Sequence, residues 1–271
     1  MIAHQSKKLS KVLKNITIFL GCCISVLAFA QEESLEVEEV KPEAVNQVKF
    51  MTEDKFMLSG NYFAGNADKS GVLLLHDCDH DSSSYDDLTK QLSNYGIHAF
   101  SLDLRGYGES VSEQFSHDKI KRNSKDIETY QTEFVLLTSY WQTDVLAAYQ
   151  YLRERVAKNR DVAVVSAGCS SAQAIFLAEK MRINSFVMIT PVLNYMEKEH
   201  YKNLIDIPVY FLGSVHHVNT YQTTQELFEW NGDQRSTFQM FKGIRQSHSL
   251  LNGKRYLAQD IALWLNDILA K

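Results

Sequence analysis

The chain has 271 residues, enough for one sizeable core, and its 45% apolar content marks it as globular rather than disordered. Lys and Arg number 28 against 33 Asp and Glu, for a net charge of −5. An acidic chain without a basic stripe is a poor nucleic-acid binder, so no nucleic-acid partner is expected.

Lys7, Lys8, Lys11 and Lys14 form a positive start, residues 16–29 are apolar, and Ala28-Phe29-Ala30 is an A-x-A cleavage site. Residues 1–30 therefore read as a signal peptide cleaved after Ala30, which predicts a periplasmic or secreted protein. The apolar run falls short of the roughly 18–20 residues of a membrane span. No stable span is expected after cleavage. Gly21-Cys22 offers a lipoprotein cleavage point as the alternative. Cleavage takes four lysines and no acids, moving the net charge from −5 to −9. Residues 31–46 are Glu-rich and aperiodic and read as a flexible acidic tether. The folded domain is placed at 47–271.

Residues 48–51 and 56–62 flank Glu53-Asp54-Lys55 as a β-hairpin. Residues 71–75 are wholly apolar, as a buried parallel strand should be, and open into the polar loop 76–81. A helix follows over 85–95, then a strand over 97–102. Residues 111–138 are polar and read as irregular, with room for a short helix. Residues 140–156 form an amphipathic helix. Next come a strand at 162–165, a helix after it, and a strand at 185–190. Residues 191–208 read as a loop between two prolines. A strand at 209–212, a helix at 220–230, a strand at 237–241 and a closing helix at 256–269 complete the chain. Strands alternating with helices predict an α/β fold, a mainly parallel central sheet covered on both faces.

Five segments, taken in order, resemble the α/β-hydrolase superfamily from about residue 47 onward. Leu73-Leu-Leu-His-Asp77 is similar to its strand ending in His-Gly. Asp103-Leu-Arg-Gly-Tyr-Gly-Glu-Ser110 follows its D-x-R-G-x-G-x-S pattern. Ser166–Ala174 resembles the nucleophile elbow of dienelactone-hydrolase-like enzymes. Residues 208–217 and 241–248 resemble the segments delivering the acid and the histidine. The resemblance implies an α/β-hydrolase fold without a large lid domain, since 191–208 is too short for one.

The chemistry departs from that pattern. Counting from the strand before and from the helix after, the nucleophile slot falls on Gly168, the acid slot on His217, and Asp77 replaces the Gly of His-Gly. Only His248 matches its role as base. Acyl transfer needs a nucleophile, a base and an acid acting as a unit, so the triad reads as degenerate. Catalysis would require a shifted nucleophile, Cys169 or Ser170. The acid would then come from Asp103 or from Asp77, Asp79 or Asp81, which otherwise order their own turns or face solvent.

The family oxyanion hole would use the amides of Cys169 and Cys78. Those cysteines would flank one pocket, either bonded to each other or free. His76, His80, His216, His217 and His248 all follow strand ends. Without ligand spacing they read as polar loop residues rather than zinc ligands. No metal and no cofactor is expected. The expected function is binding of a small molecule or protein partner through the former active-site cleft. Ester or acyl hydrolysis is the alternative.

Overall fold

The computed structural model describes residues 46–270; the signal-peptide reading and most of the tether lie outside them. The hairpin pairs β1 (Asn46–Met51) with β2 (Met57–Phe63) in antiparallel register, Asn46 opposite Tyr62 and Met51 opposite Met57. The next strands are β3 (Gly71–Leu75), β4 (His98–Asp103), β5 (Val162–Ala167), β6 (Ser185–Ile189), β7 (Val209–Ser214) and β8 (Thr237–Phe241). Together they make one eight-stranded sheet in the order β1-β2-β4-β3-β5-β6-β7-β8. β2 joins β4 antiparallel, and every pairing from β4 to β8 is parallel.

β3 through β7 are buried at every position. Their near-continuous apolar runs follow from having helices on both faces. Alternate residues point to opposite sides. Leu73, Leu75, Val162, Val164, Phe186 and Met188 pack on α4 (Trp141–Arg153), α5 (Ser171–Lys180) and α7 (Val218–Trp230). Val72, Leu74, Ala163, Val165, Val187 and Ile189 pack on α1 (Asp86–Asn94), α8 (Ser247–Asn252) and α9 (Leu257–Leu269).

Two stretches differ from the sequence reading. Residues 111–138 hold two helices, α2 (His117–Asn123) and α3 (Ile127–Thr138). Ser116 and Asp126 cap them by accepting from the amides of Lys119 (3.3 Å) and Thr129 (2.8 Å). Of α3 only Leu137 is buried, while Ile127, Val135 and Leu136 are exposed, so its apolar residues trace no single buried stripe. Within 191–208 lies α6 (Tyr195–Tyr201), started by a reciprocal cap. The Asn194 side chain accepts from the Glu197 amide (3.0 Å), and the Glu197 carboxylate accepts from the Asn194 amide (2.7 Å).

The Asp103–Ser110 turn after β4 is built around its own carboxylate. Asp103 accepts from the amides of Ser82 (2.9 Å) and Glu109 (3.0 Å). Gly108 has φ +49°, and a Cβ there would collide with that carboxylate. Arg105 is buried between Asp54 (2.6 Å) and Asp144 (2.7 Å), with Phe56 and Tyr140 over its guanidinium. This ion cluster ties the hairpin loop to α4.

Candidate functional site

The loops that leave the parallel strands meet at one edge of the sheet, where open α/β folds bind ligands. The chain leaves β5 at Ala167, turns through Gly168 and a single 3-10 turn, and enters α5. Gly168 has φ +53°, the left-handed geometry that glycine adopts without steric cost. A Cβ built on Gly168 would lie 3.0 Å from the Ser247 Oγ and 3.3 Å from the Asp77 Cβ. The space a nucleophile side chain would enter is therefore faced by Ser247 and Asp77.

Two other residues at this point are strained. Thr190, just past β6, has φ +45°, and Ser247, at the start of α8, has φ +44°. A β-branched residue in that region is a clear outlier. They hold each other: the Ser247 amide donates to the Thr190 Oγ1 (2.9 Å), and their hydroxyls are 3.3 Å apart. Strained backbone on several loops converging at one place is characteristic of built sites. The sequence reading does not single out Thr190 or Ser247, because the sign of φ is not encoded in residue type.

Cys78 and Cys169 are joined in a disulfide, with Cα atoms 6.0 Å apart and a sequence separation of 91. In this form Cys169 carries no thiol. The Ser170 hydroxyl is fully buried and faces the turn. It lies 2.8 Å from the Leu75 carbonyl and 3.0 Å from the Ala167 carbonyl, and accepts from the Ala167 amide (3.1 Å).

His248 lies half-buried on α8. The Asn252 Nδ2 lies 2.6 Å from its Nδ1, which also stands 3.4 Å from the Ser84 carbonyl. Its ring packs on His80 with centroids 4.4 Å apart. His80 in turn places Nδ1 2.8 Å from an Asp77 carboxylate oxygen, which also accepts from the Asp79 amide (3.0 Å). Asp77, His80 and His248 thus form a continuous polar row beside Gly168. The signal in the sequence is the i,i+3 spacing of Asp77 and His80.

His76 is fully buried. Its Nε2 accepts from the Leu104 amide (3.0 Å), so its Nδ1 donates to the Asp77 carbonyl (2.6 Å). Burial holds its pKa below the ordinary value. It fastens β3's exit to the turn after β4 and is closed off from solvent.

His217 is turned toward α7, with Nδ1 2.9 Å from the Thr220 Oγ1. It lines a pocket of about 350 Å³ with Pro191, Val192, Leu193 and the first turn of α7. Val192 donates to the Gly168 carbonyl (3.1 Å), so the pocket adjoins the elbow. His216 is exposed, and its amide bonds the Gly243 carbonyl (3.1 Å). Among the described residues no group of three or more His, Cys, Asp or Glu side chains is set to hold a metal ion, and no helix is long and apolar enough to cross a membrane.

No family model and no curated protein matches the chain. Solved structures do. The esterase Pf2001 of Pyrococcus furiosus is 14% identical, with a TM-score of 0.59 over 83% of this chain and 91% of its own. A predicted CIB-like hydrolase from Thermoplasma acidophilum is 12% identical, with a TM-score of 0.60 over 83% and 99%. A cold-adapted esterase from an Arctic intertidal metagenomic library is 17% identical, with a TM-score of 0.59 over 82% and 93%. The architecture is the α/β-hydrolase fold, with no large lid among the described residues.

Proposed function

We infer that this chain is an exported α/β-hydrolase-fold protein, of dienelactone-hydrolase-like descent, that binds a small molecule in the former active-site cleft without hydrolysing it. One observation carries the reading. The residue at the strand-to-helix turn, in the left-handed geometry of an elbow, is Gly168, which has no side chain to attack with. The neighbouring candidates are engaged elsewhere, Cys169 in the disulfide and Ser170 in hydrogen bonds to backbone. The pocket beside the elbow supports binding. Pro191, Val192 and Leu193 give it an apolar wall, and His217, Asn219 and Thr220 give it a polar one. That combination suits a compact ligand with an apolar body and a hydrogen-bonding end.

Hydrolysis is the second reading, favoured by the esterases among the structural neighbours. It would use His248 as base with Ser170, or with Cys169 after reduction. An ester panel and an acylating probe on the purified protein decide between the two. The binding reading expects no turnover above buffer. Turnover abolished by Ser170→Ala or Cys169→Ala would overturn it.

A further inference from the structure

A second pocket, also of about 350 Å³, opens at the opposite edge of the sheet, where β5 and β6 begin. Its lining comes from the end of α4 (Tyr149, Arg153), the loop entering β5 (Lys158, Asn159, Arg160, Asp161) and the segment entering β6 (Arg182, Asn184). Four cations face one carboxylate there, in a chain where acids outnumber bases.

Arg153 has a structural task. Its guanidinium donates to the carbonyls of Arg160 (2.6 Å) and Val156 (2.8 Å) and also to that of Ala157. It thereby fixes the loop that carries Lys158 and Arg160 and complements the negative end of the α4 dipole. That role does not extend to the other three. Lys158, Arg160 and Arg182 make no ion pair among the described residues. They converge from two loops held in place by backbone: Asn184 donates to the Val162 carbonyl (2.9 Å), and Tyr149 donates through its hydroxyl to the Arg182 carbonyl (3.3 Å). The Asn159 and Asn184 amides add neutral donors to the lining. Like charges gathered in a concave site repel one another and focus a positive potential outward, an arrangement completed by an anion.

We propose that this pocket binds a phosphoryl group. Guanidinium forks match tetrahedral oxyanions in geometry as well as charge, and an open pocket of about 350 Å³ has room for a phosphate ester. The site is separate from the cleft at the other edge and does not depend on how that cleft functions. The same chemistry is offered by a soluble phosphate ester and by a phospholipid headgroup, so the experiment needs both arms.

The full-length chain is titrated calorimetrically with glycerol phosphate, and separately sedimented with vesicles of phosphatidylcholine alone or mixed with phosphatidylglycerol. Saturable binding in either arm, weakened about tenfold or more by Arg160→Ala with Arg182→Ala, is the expected result. Binding confined to the titration identifies a soluble ester, and binding confined to the mixed vesicles identifies a headgroup. Lys158→Glu, at an exposed position, gives the same loss by a different chemistry, and unchanged melting temperatures show that the fold is intact. Two results would overturn the proposal. One is no saturable binding in either arm. The other is an equal loss when the exposed Lys90 and Arg122 are replaced by Ala, which would mean that only diffuse charge attracts the anion.

Discussion

Gly168 concentrates the question of function into one residue. Introducing a hydroxyl by Gly168→Ser would put a Cβ on a backbone with φ +53° and press it against the Ser247 Oγ at 3.0 Å. The left-handed strain and the crowding together should cost about 1–3 kcal/mol. On the proposed reading that His217 fills the acid slot, the expected outcome is a lower unfolding midpoint in denaturant with no gain of ester turnover; His217 is bonded to Thr220. A gain of turnover would show that a group other than His217 supplies the acid, and Asp77 is the carboxylate beside Gly168. Ser170→Ala tests the neighbour. Its buried hydroxyl serves Leu75 and Ala167, so its loss should destabilise by about 1–2 kcal/mol. A nucleophile role would show as lost activity instead.

Two elements are joined by features a contact map of the sheet would not reveal. The Cys78–Cys169 disulfide links the loop after β3 to the turn after β5 across 91 positions. Closing a loop of that length removes enough chain entropy from the unfolded state that Cys78→Ala with Cys169→Ala should cost about 4 kcal/mol. Reduction of the native protein should cost a similar amount, measured by chemical denaturation with and without reductant; an unchanged midpoint would mean that the loops are held by packing alone. The elements themselves were legible to different degrees. Buried parallel strands such as β3 and β5 announce themselves as apolar runs bounded by polar loops. Helix α3 does not, because Ile127, Val135 and Leu136 face solvent and its evidence is a cap at Asp126 rather than a stripe. Helix α6 is signalled only by the Asn194–Glu197 pair between two prolines. At the site, the elbow around Gly168 can be read from its small residues. The strained pair Thr190 and Ser247 cannot, since tertiary packing imposes their backbone geometry.

At the scale of the molecule, three buried histidines set the response to acid. His76 closes the joint between β3 and the turn after β4. His98 accepts from the Gly65 amide at Nδ1 (3.1 Å) and donates from Nε2 to the Asn66 carbonyl (3.0 Å). His117 meets the Tyr130 hydroxyl at Nε2 (2.9 Å). Burial lowers the pKa of each below the ordinary 6.5. The unfolded chain takes up these protons near pH 6.5, and the native chain takes them up only at lower pH. Their stabilisation is therefore present above 6.5 and is lost as pH falls toward the native values. Asp144 works in the opposite sense: burial pushes its carboxyl up from 3.8 to about 6 despite the Arg105 guanidinium beside it, so its contribution falls as pH rises from about 4 to about 6. Above about pH 6 the histidines are the groups of this set whose ionisation differs between folded and unfolded chain, and each can contribute up to about 1.4 kcal/mol per pH unit while only its unfolded form titrates. Urea midpoints should hold steady above pH 7 and decline between 6.5 and 5. His98→Asn should make that decline shallower, though it lowers stability at neutral pH by removing the bonds to Gly65 and Asn66. Midpoints that stay flat or rise on acidification across that window would show that these imidazoles ionise freely in the folded protein.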